Sequence, residues 1–86
     1  MKSLEGKVAI VAGGARDIGR AVSEELAAQG ARVVVNYFRN ADDGEATVAA
    51  IEAAGGEAIA LRGDMTKQAD VDNLVAEAVS YTHLTL

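Results

Sequence analysis

The sequence predicts an α/β fold in which parallel strands alternate with helices. Short β-branched apolar runs take turns with stretches of helical periodicity along the 86 residues, and glycines fall at the junctions. A third observation locates the working end of such a fold. The stretch Val11-Ala12-Gly13-Gly14-Ala15-Arg16-Asp17-Ile18-Gly19-Arg20 is a glycine-rich turn between the first apolar run and the first amphipathic segment.

Each element follows from its residues. Val8-Ala9-Ile10-Val11-Ala12 is continuous rather than alternating, which predicts a strand over Lys7–Ala12 covered on both faces. The next period is helical. Ile18, Ala21, Val22 and Leu26 form a stripe, expected to face the core, on a helix from about Ile18 to Gln29 that stops at Gly30, with Glu24 and Glu25 solvated. Ala31–Tyr37 is the second strand, β-branched and short. Asp42 and Asp43 are paired carboxylates that could serve a metal or acid/base chemistry, but acids in a first turn complement the helix dipole. They predict a second helix from Asp42 to Ala54, with Val48 and Ile51 inward and Gly55-Gly56 ending it. Glu57–Leu61 is the third strand. A third helix over Gln68–Ala78 carries Val71, Leu74, Val75 and Ala78 as its core stripe.

A helix start offers unpaired N–H groups and the positive end of the helix dipole, and a loop with little side-chain bulk lets a phosphate oxygen approach them. Glycines can also do no more than make a tight turn. Here a strand precedes the loop, a helix follows it, and a second strand lies at βαβ distance, which together favour a nucleotide.

The spacing Gly13-x-x-x-Asp17-x-Gly19 resembles the TGxxxGxG signature of the short-chain dehydrogenase/reductase family. The resemblance covers residues 4 to 78 and extends to Asn36-Tyr37, Ala54-Gly55-Gly56 and Gly63-Asp64-Met65-Thr66. It implies a partial doubly wound (Rossmann) βαβαβα unit, with parallel strands in the order 3-2-1, right-handed crossovers and helices on both faces. On this reading residues 1–78 are the N-terminal half of an NAD(P)-binding domain. Residues 79–86, ending in Ser80-Tyr81-Thr82-His83-Leu84-Thr85-Leu86, resemble a translated sequencing adapter and form a non-native tail.

The resemblance also implies a set of cofactor-binding residues. Gly13, Ala15, Arg16, Asp17, Ile18 and Gly19 form the phosphate loop, although Ala12 replaces the usual Thr and Asp17 the usual second Gly. Asp17 is expected to turn away from the phosphates and cap the helix, accepting from the N–H of Gly19 or Arg20, with Arg16 and Arg20 offsetting its charge. Asn36 and Tyr37 end the second strand, where an NAD-preferring fold places an acid that accepts from the ribose hydroxyls. Neutral Asn36 exerts no repulsion on a 2′-phosphate, and Arg16 and Arg39 can reach one, unless both are simply solvated. NADP(H) is therefore expected ahead of NAD(H). Asp64 and Met65 would meet the adenine, the carboxylate accepting from its amine and the Met65 N–H meeting a ring nitrogen. The same segment reads equally as a turn whose Asp64 or Thr66 caps the third helix.

What the resemblance lacks here is the chemistry. Tyr81 is not followed by Lys four positions on, His83 invites no catalytic role, and no catalytic residue or metal ligand is assigned. The expected function is the cofactor half of an NADP(H)-dependent oxidoreductase that moves a hydride between the cofactor and a carbonyl or alcohol. A stand-alone nucleotide-binding module and a truncated, non-functional product are the rivals.

Composition supplies the exclusions. A formal charge of −5 with no basic stripe argues against nucleic acid. There are no cysteines, so disulfides and thiolate metal sites cannot form. Met1–Lys7 has no signal-peptide pattern and no apolar run is long enough to span a bilayer, so a cytoplasmic location is expected, with a homo-oligomeric parent.

Overall fold

The fold was analysed in a computed structural model that describes residues 3–82. Strands β1 (Val8–Val11), β2 (Arg32–Tyr37) and β3 (Glu57–Arg62) alternate with helices α1 (Asp17–Ala28), α2 (Ala41–Ala53) and α3 (Gln68–Thr82). The sheet is parallel throughout and ordered β1-β2-β3, the predicted order read from its other edge. In register, Val8 pairs with Arg32 and Val11 with Val35 on one side of β2, while Tyr37 pairs with Arg62 on the other.

β2 is central, and its residues show it. Val33, Val34 and Val35 are fully buried, because alternate side chains point to opposite faces and both faces are covered. Val33 and Val35 join Val11, Ala27, Ala31, Ile51 and Ala58 in a core under α1 and α2. Val34 joins Leu74, Ala78 and Tyr81 in a second core under α3, flanked by Val8, Ile59 and Leu61. The three helices are therefore divided between the faces, α1 and α2 on one and α3 on the other.

Two elements differ from the sequence expectation. On α1 only Leu26 of the predicted stripe packs against the core: Ile18 is 80% exposed and Val22 42%, while Ser23 and Ala27 are buried. The cause is the glycine loop, against which only a face of small side chains can pack; a Cβ at position 19 would overlap the carbonyl oxygen of Gly13. On α3, Leu74 and Ala78 face the core as expected, but Val75 is exposed. The helix also continues past Ala78 to Thr82, because Tyr81 is itself buried. Arg32 holds that last turn, its Nη1 donating to the Tyr81 carbonyl at 3.2 Å with the guanidinium 5.8 Å from the ring centroid. Burial, with Glu57 adding to it, raises the Tyr81 phenol above its ordinary pKa. His83 lies outside the described residues.

Candidate functional site

The glycine loop leaves the C-terminal end of β1 and delivers α1. Gly13 sits at φ +67°, in the left-handed region that glycine enters freely, with open space where a side chain would be. Its N–H donates to Asn36 Oδ1 at 3.1 Å, and the Gly14 N–H donates to the Asn36 carbonyl at 3.0 Å. Two hydroxyls hold the loop from the helices. Ser23 Oγ lies 3.1 Å from the Gly14 carbonyl and 2.9 Å from that of Gly19, and Thr47 Oγ1 donates to the Ala15 carbonyl at 3.0 Å. Ser23 and Thr47 are both buried completely. Neither was singled out from sequence; the available signal was a small polar residue at i+4 from Gly19, on the face that also carries Ala27.

The Asn36 side chain is turned into the fold. It is 2% exposed and its amide is spent inside the fold: Oδ1 accepts from Gly13, while Nδ2 donates to the carbonyls of Leu61 at 3.3 Å and Gly63 at 3.2 Å. The side chain is a brace joining the loop after β1, the end of β2 and the turn after β3. The residue also lines the cavity beside the glycine loop, but its amide is engaged within the fold.

Asp17 also differs from expectation. The N-cap of α1 is Arg16, and no side chain caps this end. Asp17 opens the helix at φ +53°, the one positive φ among the described non-glycine residues, which is the conformation that a glycine would hold without strain. The arginines expected to offset its charge pair elsewhere, Arg16 with Asp43 at 3.3 Å and Arg20 with Glu24 at 2.9 Å. The uncapped first turn leaves helix N–H groups without a side-chain acceptor, the setting in which an anion binds.

A cavity of about 260 Å³ opens beside the loop. Gly13, Ala15 and Arg16 form its wall from the loop, and Asn36, Tyr37, Phe38, Arg39 and Asn40 form the opposite wall from the β2–α2 connection. The structure thus gathers six of the predicted residues, Gly13, Ala15, Arg16, Asn36, Tyr37 and Arg39, around one space. Asp17, Ile18, Gly19, Asp64 and Met65 do not line it. Larger hollows of about 390 and 310 Å³ lie away from the loop, the first between α1 and α2 among Ala27, Ala50 and Ile51.

Asp64 forms a turn. Its Oδ1 accepts from the Thr66 hydroxyl at 2.6 Å and the Thr66 N–H at 3.0 Å, and these bonds hold its pKa below the usual carboxylate value. Lys67 and Arg39 lower it further. The Asp64 N–H in turn donates to Asp70 Oδ2 at 2.8 Å. Met65 packs against the α3-side core. No cluster of side chains suited to a metal ion occurs among the described residues. No helix among them is long and apolar enough to cross a membrane.

Comparison with known proteins agrees with this arrangement. A family model described as short chain dehydrogenase matches residues 7–84. The short-chain dehydrogenase/reductase homolog YusS of Bacillus subtilis is 45% identical over 80 residues, which cover 93% of this chain and 72% of that protein. An uncharacterized oxidoreductase of Methylorubrum extorquens is 47% identical over 79 residues, 92% of this chain and 32% of the relative. Among solved structures, a dehydrogenase/reductase from Sinorhizobium meliloti superposes with a TM-score of 0.91 at 40% identity, covering 94% of this chain and 32% of the other. The chain thus spans about a third of the length of the last two proteins.

Proposed function

The chain belongs to the short-chain dehydrogenase/reductase family, a family that binds nicotinamide dinucleotides, and we propose that it holds the adenosine side of NADP(H) in preference to NAD(H). In the parent protein the bound cofactor would exchange a hydride with a carbonyl or alcohol. What this chain's own residues do is bind and orient it.

The observation that carries the reading is the cavity between the glycine loop and the β2–α2 connection, rimmed by Arg16 and Arg39 in a chain of net charge −5. Its dimensions and lining fit one ribose with its substituents. The open backbone at Gly13 and the uncapped start of α1 suit the pyrophosphate, which needs N–H donors and little side-chain bulk. Arginine rather than an acid at the rim suits a further phosphate on the ribose, since a guanidinium can grip phosphate through two parallel hydrogen bonds. The reading now rests on Arg16 and Arg39 and no longer on Asn36, whose amide is engaged within the fold.

The test is a calorimetric titration of the 86-residue chain with NADPH and with NADH. NADPH should bind at least about tenfold more tightly, the effect of one charge-assisted contact. Equal affinities would overturn the NADP(H) preference, and no heat with either would overturn the cofactor reading as a whole.

A further inference from the structure

Arg62 was not singled out by the sequence, yet the sheet register brings it to the same end of the fold as the cavity. It closes β3 directly opposite Tyr37, one residue before Phe38. Its guanidinium lies 5.2 Å from the centroid of the Phe38 ring, and that of Arg39 lies 5.4 Å from the same ring. Phe38 is the single phenylalanine in the sequence and is 38% exposed, although the alanine-rich cores have few large side chains to fill them. It lines the cavity, and so does Arg39.

Two guanidinium groups sharing one aromatic ring attract the ring and repel each other. Among the described residues neither Arg39 nor Arg62 forms an ion pair, whereas Arg16 is held by Asp43 and Arg20 by Glu24. Asp64 feels the charge of Arg39 but already accepts two hydrogen bonds from Thr66. With Lys67, four of the eight basic residues lie at the C-terminal end of the sheet or in the segments just beyond it. Two cations gathered on one ring, neither in an ion pair among the described residues, match a ligand carrying about two negative charges on one group. A phosphate monoester has that charge near neutral pH; each phosphate of a pyrophosphate diester has about one.

We propose that Phe38 is a platform presenting Arg39 and Arg62 jointly to a phosphate monoester on the ribose 2′-oxygen of an adenine nucleotide, with Arg62 a specificity-determining residue. The proposal rests on the cofactor reading above and adds to it the group that discriminates. Arg62 makes no contribution to the pyrophosphate, which belongs to the loop at the other side of the cavity. Its effect is confined to nucleotides that carry the extra monoester.

The experiment compares adenosine 2′,5′-bisphosphate with adenosine 5′-monophosphate as calorimetric ligands for the full chain and for Arg62→Met and Arg62→Lys. Circular dichroism melts confirm that each variant is folded. In the unmodified chain the bisphosphate should bind more tightly. Arg62→Met should lose about tenfold to a hundredfold in affinity for the bisphosphate with little change for the monophosphate, and Arg62→Lys should recover part of it. A preference that survives Arg62→Met unchanged would overturn the role of Arg62 while leaving the cofactor reading intact. Equal losses for both ligands would also overturn it, because they mark a structural effect. If the unmodified chain bound neither ligand, the cofactor reading itself would fall and this inference with it.

Discussion

Asp17 is where a single residue works against its local geometry. At φ +53° an L side chain is crowded by the backbone, at a cost of roughly 1 kcal/mol that glycine does not incur. Asp17→Gly should therefore leave the chain more stable than Asp17→Ala by about 1 kcal/mol, read as the difference in urea midpoints. Both variants remove the carboxylate, so charge cancels in the comparison; an Ala variant as stable as the Gly variant would refute the strained conformation. Asn36 is the opposite case, a residue whose every polar atom is matched. Asn36→Asp would place a carboxylate oxygen against the carbonyls of Leu61 and Gly63, where Nδ2 now donates. Destabilisation of at least about 2 kcal/mol is expected, because a buried acceptor facing acceptors loses its bonds and gains repulsion. Chemical denaturation measures it directly, and a variant of unchanged stability would contradict the brace.

At the scale of elements, legibility depended on what each signal reports. Val33-Val34-Val35 announced a strand through its β-branched run, which leaves little room for another outcome, and both faces of it proved covered. The glycine loop and the spans of α1 and α2 were legible for the same reason: chain punctuation is local. The rotation of α1 was not. Periodicity follows large apolar residues, here Ile18 and Val22, whereas the face that packs was selected for smallness, with Gly19, Ser23 and Ala27 along it. The end of α3 was missed because its anchor, Arg32, lies far away in sequence and meets Tyr81 only through the tertiary fold. The site divided in the same way. Arg16 and Arg39 were visible from the glycine loop and the end of β2, while the approach of Arg62, itself beside Gly63-Asp64, to Phe38 depends on a strand register that no local pattern encodes.

The whole molecule is asymmetric about β1. Among the described residues this strand pairs with β2 alone, its Ile10 is 40% exposed, and no charged residue interrupts Val8–Val11. Further exposed apolar residues are Ile18 and Val22 on α1 and Val75 and Val79 on α3. An apolar edge of this kind is a template for pairing with another chain. The 86-residue chain should therefore sediment with a concentration-dependent mass, and Ile10→Lys should shift it toward monomer. A monomer at all concentrations would count against the exposed edge. The same asymmetry has a constructive side, because α3 lies on the face opposite α1 and α2. A strand reached from α3 by the usual right-handed crossover would be laid against β1, not outside β3. The sheet would then grow in a new direction from its first strand, and the chain would diverge to either side above the carboxyl end of β1. Such a divergence is a topological switch point, the place where open α/β sheets leave a crevice for a ligand. The glycine loop stands at its mouth. The bare flank of β1 and the position of the cavity beside the glycine loop thus express one decision of the fold: the face on which the third helix returns.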